Sequence, residues 1–195
     1  MRKIIWLVDM SLDGFMSGPN GELDWAAAQM DDELWDGMNE LLGTVDAAVF
    51  GRVTYQNFEQ YWRYWSGMPG TPSSPKNELN FSRWIEQTPK IVASKSLRRL
   101  EWQNSRLLGA DGAEDISRMK EQSGKHLLMF GSCNFAAWML KAGLIDELHI
   151  RIHPVILGVG LPLFKEGSER HTLKLVGSKV TEAGLVQLQY NVARP

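Results

Sequence analysis

Apolar runs of strand length recur along the first two thirds of the chain, with amphipathic stretches between them. Residues 4–8 (IIWLV) are continuously apolar, the pattern of a strand buried on both faces. Residues 46–50 (DAAVF) and 90–94 (KIVAS) read as further strands, and 127–130 (LLMF) as a strand of buried type. In residues 31–42 (DDELWDGMNELL), Leu34, Trp35, Met38, Leu41 and Leu42 fall on one side of a helix. Asp31 or Asp32 suits its N-cap, and Gly43 with Thr44 ends it. Further helices are predicted over 56–65, 81–87, 113–121 and 134–142, the last closed by Gly143. Residues 147–152 (ELHIRI) alternate like a strand half open to water, and 173–193 read as two strands joined near 182–184. Strands and helices therefore alternate until about residue 150 and strands dominate afterwards. The pattern predicts one α/β domain over residues 1–195, with a mostly parallel central sheet and an antiparallel C-terminal edge.

Two stretches break this rhythm. Residues 11–25 (SLDGFMSGPNGELDW) carry more turn chemistry than a hairpin needs, so they form either a flap over a ligand or a surface loop. Residues 66–80 (SGMPGTPSSPKNELN) read as a long irregular excursion.

Composition narrows the function classes. A net charge of -2 gives no electrostatic footprint for nucleic acid or an anionic membrane, and no apolar run spans a bilayer. The basic pair at residues 2 and 3 is followed by a short apolar run that meets Asp9, which does not read as a signal peptide. The single cysteine, Cys133, excludes an intramolecular disulfide and suits a reducing compartment, so the expectation is a soluble cytoplasmic protein. Eight tryptophans are many for this length, and they fit either a Trp-rich core or a lined pocket.

Three predicted strands end in small or polar residues before a helix or loop. They are Phe50-Gly51-Arg52-Val53-Thr54, Ala93-Ser94-Lys95-Ser96 and Phe130-Gly131-Ser132-Cys133. Ligands of open α/β sheets bind beyond such strand ends, and helix N-termini there favour phosphate. Three such ends suit a phosphate-rich dinucleotide, although neither GxGxxG nor GxxxxGK[ST] is present. The four histidines show no HExxH pairing and a lone cysteine makes no Cys-rich zinc site, so no metal is expected. Cys133 reads as a small packing residue. Asp9 interrupts an apolar strand, where a charge is costly unless it is paired or used, and either a pocket role or a structural bond would explain it. Asp13 reads as a turn former ahead of Gly14, with a second role in orienting substrate or relaying a proton left open alongside Asp9.

The ordered motifs resemble a known superfamily. Ser11-Leu12-Asp13-Gly14, then 18–25 (GPNGELDW), Gly51-Arg52-x-Thr54-Tyr55, 90–94, 142–148 (AGLIDEL), 153–158 (HPVILG) and Pro162-Leu163-Phe164 are similar to the dihydrofolate-reductase-like superfamily. The nearest branch holds the reductase domain of the riboflavin-biosynthesis deaminase–reductase and its stand-alone bacterial relatives. The resemblance implies a three-layer α/β/α fold that binds NADPH and delivers hydride to a small heterocyclic or carbonyl/imine substrate. By position, it implies that Gly51, Arg52 and Thr54 hold the cofactor phosphates. Ser94 and Lys95 would sit by the adenosine ribose, and Phe130, Gly131, Ser132 and Cys133 would follow the pyrophosphate and nicotinamide. Gly18, Asn20 and Gly21 would belong to the loop that closes over nicotinamide. Trp25, at its far end, and Asp32 would face the substrate, and Tyr61, Trp62, Tyr64 and Trp65 would wall the pocket or pack in the core.

The chain also departs from the pattern. Met30 stands where folate reductases place a helix carboxylate, Phe130 where the riboflavin-type reductases place a Glu, and Ser132 where a second Gly is expected. Both named substrates are thereby disfavoured. A non-catalytic nucleotide-binding protein on the same fold is the alternative. Dimeric relatives, with a strand at 147–152 that needs covering, imply a homodimer.

Overall fold

Three apolar runs with no polar interruption become the inner strands of one sheet. In the computed structural model, residues 1–27, 31–63, 76–165 and 167–193 are described. The strands are β1 (Ile4–Ser11), β3 (Val45–Gly51), β4 (Lys90–Ala93), β5 (Ser105–Leu107), β6 (His126–Phe130), β7 (Glu147–His153), β9 (Leu173–Val180) and β10 (Val186–Val192). Among the described residues they form an eight-stranded sheet in the order β5-β4-β3-β6-β1-β7-β10-β9. Every pair from β5 to β7 is parallel, and β10 and β9 close the C-terminal side antiparallel. A separate ribbon pairs β2 (Phe15–Ser17) with β8 (Leu161–Pro162).

The two-residue period of the strands explains the three layers. Ile4, Trp6 and Val8 point to one face, where they meet Val49, Leu127, Met129 and the helices α5 (Gly112–Glu121) and α6 (Cys133–Lys141). Ile5 and Leu7 point to the other, against Phe50, Leu128 and Phe130. That face is covered by α2 (Asp32–Gly43), α3 (Arg52–Trp62) and α4 (Lys76–Gln87), while α1 (Asp24–Ala27) is a single short turn. Burial on both faces is why β1, β3 and β6 lack alternation.

Several expectations need correction. The helix expected from residue 56 begins at Arg52, because Gly51 leaves the strand in an extended conformation (φ -78, ψ 162) and is itself the N-cap. The helix expected from residue 81 begins at Lys76, where the Asn77 amide reaches Asp32 (3.2 Å) and Asn39 (3.4 Å) on α2. The rest of the 66–80 excursion, together with Tyr64 and Trp65, lies outside the described residues. Residues 147–152 are not an edge. They form most of β7, between β1 and β10, and their polar side chains are matched by Lys3 on Glu147 and by Asp9 on Arg151. The outer strands are the three-residue β5 and the eight-residue, largely exposed β9. The short strands β2, β5 and β8 gave no readable periodicity.

Candidate active site

The helices that follow β3 and β6 leave these neighbouring strands for opposite faces of the sheet, which opens a crevice at their carboxyl ends. Gly51 is the N-cap of α3 and Ser132 that of α6, and neither helix has a side-chain hydrogen bond to its first turn. Main-chain N–H groups at both N-termini are therefore left to a ligand. Ser132 ties the two ends together: its hydroxyl accepts from Gly51 N (3.0 Å) and donates to Thr54 Oγ1 (2.7 Å). This needs consecutive left-handed residues, Gly131 at φ 47 and Ser132 at φ 63. The Gly131 carbonyl is fixed by the Trp6 indole N–H (2.8 Å) and its amide by Leu7 O (3.0 Å).

Close approach matters at two glycines. A Cβ on Gly51 would lie 3.0 Å from Ser132 Oγ and 3.3 Å from Phe135 Cβ. One on Gly131 would stand 3.6 Å from Thr54 and 3.7 Å from Met16 Cε, so the loop after β1 reaches this crevice through Met16. The donor set fits a dinucleotide pyrophosphate: two uncapped helix ends, the Thr54 and Ser132 hydroxyls, and the exposed Arg52 guanidinium, which here donates to Gln56 (2.9 Å).

The structure thus brings Gly51, Arg52, Thr54, Gly131 and Ser132 together. Lys95 is exposed just beyond β4, and the Ser94 hydroxyl accepts from the amides of Ser96 (3.2 Å) and Leu97 (3.0 Å) in a local turn. Phe130 does not present its side chain to the crevice. The ring is buried, stacked 5.5 Å from Phe50 and tilted against Phe58 at 5.0 Å. Cys133 is half-buried on the far side of α6, where it lines a cavity of about 610 Å³ with Trp6, Trp138 and Phe164. Asn20 spends its amide and side chain on Glu22 (2.9 and 2.7 Å), and Gly18 N donates to Glu22 O. Gly21 takes a positive-φ turn at φ 91. Asp32 is exposed and accepts from Asn77, while Asp31 caps α2 through Leu34 N (2.8 Å).

Asp13 acts as a staple. Its carboxylate accepts from the Ser11 hydroxyl and from the amides of Leu157 and Gly158 (3.1 and 2.7 Å), pinning the first half of the 11–25 loop to the segment after β7. Those bonds, Ser11 first, hold its carboxyl below the ordinary value.

Asp9 occupies a different setting. Leu7 pairs with Phe130, so Asp9 lies two residues further on, level with the start of α6. It points to the face of Ile5 and Leu7. There Oδ2 accepts from Arg151 Nη2 (2.5 Å) and Oδ1 from His153 Nε2 (2.7 Å). Burial pushes the Asp9 pKa up, but the Arg151 charge and the two hydrogen bonds outweigh it, leaving it at about 2. His153 is fully buried, and the Trp25 ring meets it edge-on at 5.1 Å. Beneath α2, Arg151 also lines a cavity of about 220 Å³ with Leu34, Met38 and Gln187. Arg151 and His153 were missed as site residues. A charge within an apolar strand signals that a partner exists, and the odd positions of 147–153 are all polar, but the β1–β7 register that joins them is a tertiary fact.

Nearly the whole chain, residues 2–187, matches the model of the RibD C-terminal domain. The chain belongs to that family. It is 30% identical over 190 residues to the uncharacterized protein YyaP of Bacillus subtilis strain 168, covering 97% of this chain and 95% of that one. In fold, the RibD-type chain is similar to a candidate riboflavin biosynthesis protein from Shewanella sp. PV-4 (TM-score 0.76, 24% identity, 98% and 99% of the two chains). It is also similar to the dihydrofolate reductase of Enterococcus faecalis complexed with NADP(H) (TM-score 0.62, 12% identity, 98% and 97%). The expected dihydrofolate-reductase-like, three-layer α/β/α fold and its mostly parallel sheet are thereby shown. Among the described residues no helix is long and apolar enough to cross a membrane.

Proposed function

We propose that this RibD-family chain is an NADPH-dependent reductase acting on a small heterocyclic or carbonyl/imine acceptor. The observation that carries the reading is the pair of uncapped helix N-termini, α3 and α6, locked side by side by Ser132. Family membership and the shared fold with an NADP(H)-bound reductase support it. Gly51, Arg52, Thr54, Gly131 and Ser132 hold the pyrophosphate, and Lys95 with Ser94 takes the adenosine ribose end, where the Lys95 charge selects NADPH over NADH. When bound, the cofactor would supply the hydride. Trp25 and the Asp9 cluster face the acceptor, which is a substrate other than a folate or the riboflavin-pathway pyrimidine. Phe130, which stands where the riboflavin-type reductases place a Glu, has its ring in the core and offers that pyrimidine no carboxylate, and Met30, which replaces the folate carboxylate, lies outside the described residues. The unpaired Cys133 supports a cytoplasmic setting.

Titration with NADPH should quench the tryptophan fluorescence, and NADPH should then be oxidised with a member of a panel of pterins, flavins, quinones and aldehydes. No binding at millimolar NADPH overturns the proposal. Binding without oxidation of NADPH across the panel replaces it with a nucleotide-binding role.

We further propose a homodimer built on β9. Among the described residues this strand pairs on one side only, and Leu175, Val176 and Val180 are more than half exposed. An antiparallel edge is its own complement about a two-fold axis, so a second copy can cover it.

A further inference from the structure

Among the described residues, two buried ring nitrogens have no hydrogen-bond partner, and their rings touch. They are His153 Nδ1 and Trp25 Nε1. A buried polar atom left unsatisfied costs about 1–3 kcal/mol, so a well-packed site keeps two in contact only if something else meets them. They stand at the carboxyl end of β1 and β7, beside the cofactor crevice. The other nitrogen of the imidazole is fixed: an ionised Asp9 can only accept, so Nε2 carries a proton whichever state the ring is in. All the variation is therefore forced onto Nδ1. In the imidazolium Nδ1 donates, and in the neutral ring it accepts. Trp25 Nε1 donates always.

We propose that His153 Nδ1 and Trp25 Nε1 form the polar end of the acceptor site, that His153 is the proton donor of the reduction, and that Asp9 is a positioning residue acting through it. This rests on the reductase reading and deepens it. Imidazolium and indole present two donors, which suit a carbonyl oxygen or an imine nitrogen. Neutral imidazole and indole present one acceptor and one donor, which suit the hydroxyl or amine formed from it. The same two atoms therefore match both sides of the reaction. The acceptor carbonyl is reduced to a hydroxyl: its carbon takes the hydride that the dihydronicotinamide gives up in becoming oxidised. Its oxygen takes the Nδ1 proton, and the carbon–oxygen π bond is lost. His153 is left neutral and regains a proton from water admitted when Trp25 swings aside and product leaves. Arg151, the other charged group on Asp9, keeps that carboxylate ionised throughout. Both nitrogens are out of reach of bulk water, so a substrate meets them desolvated, where hydrogen bonds to developing charge are strongest. Entry requires Trp25, which lies across His153, to swing aside.

The test uses the full chain labelled with 15N-histidine and saturated with NADP+, which leaves a ketone unreduced. With 4-nitroacetophenone, the Nδ1 resonance should move to the protonated range. With the corresponding alcohol, 1-(4-nitrophenyl)ethanol, and NADPH in place of NADP+ so that the alcohol stays unoxidised, it should report a neutral ring accepting a hydrogen bond. Trp25→Phe, which removes the indole donor and keeps a smaller aromatic ring, should weaken both probes about ten-fold. In turnover with NADPH, His153→Gln should lower kcat by about 100-fold or more while the NADPH affinity from fluorescence stays within about two-fold. An Nδ1 resonance that ignores both probes, or answers them identically, overturns the inference even if His153→Gln fails to fold. Loss of NADPH binding by the unaltered protein instead overturns the reductase reading, so the two failures are separable.

Discussion

Replacing Asp9 with Asn tests the energetics of the site without altering its shape. The amide fills the same volume but carries no charge, so Arg151 and His153 face a neutral group. The Asp9 carboxyl falls from 3.8 to about 2 in the folded protein. At about 1.4 kcal/mol per pH unit, its ionised form contributes about 2 kcal/mol near neutrality. A depressed carboxyl stabilises fully above its unfolded value, and the contribution disappears as pH falls through the folded one. Between those two values the unfolded chain binds more protons, so stability rises with pH. Urea unfolding near pH 7 should therefore show Asp9→Asn about 2 kcal/mol less stable, and near pH 3 about half of that. The denaturant slope should be unchanged, because the same surface is exposed. A destabilisation that stays constant from pH 7 to pH 3, or one near zero at pH 7, would refute the claim that Asp9 is held as a half-buried, ionised partner.

Three further outcomes follow from the same geometry. Gly51→Ala puts a methyl group 3.0 Å from Ser132 Oγ and should weaken NADPH about ten-fold in a fluorescence titration, with a stability cost of about 1 kcal/mol. Lys95→Ala should weaken NADPH about ten-fold and leave NADH nearly unchanged; equal effects would remove Lys95 from the site. Val176→Glu places a charge on the outer face of β9 and should convert a dimer to a monomer in sedimentation velocity, whereas sedimentation of the unaltered chain as a monomer at micromolar concentration overturns the β9 pairing.

The large pattern was legible because it depends on local sequence. Unbroken apolar runs at 4–8 and 127–130 mark strands buried on both faces, and the stripe of Leu34, Trp35 and Met38 marks the helix laid over them. The glycines and hydroxyls after β3 and β6 marked the crevice that we assign to the cofactor, since strand-end chemistry is written in consecutive residues. What was illegible is what the register creates. Nothing in 147–153 says that Arg151 lies opposite Asp9, or that His153 lies within its reach. Phe130 shows the reverse failure. Its neighbours Gly131 and Ser132 do turn into the crevice, but the two-residue period of β6 sends the Phe130 ring the other way, into Phe50 and Phe58.

The Ser132 bridge also makes the crevice self-reporting. The Gly51 amide donates to a side chain on the neighbouring strand's loop. Its protection from solvent deuterium therefore depends on how far α3 and α6 stand apart, not on the integrity of either helix. Any event that spreads the two helix ends, such as ligand departure or a breathing motion of the sheet, registers at that one backbone hydrogen while its neighbours within the strand stay silent.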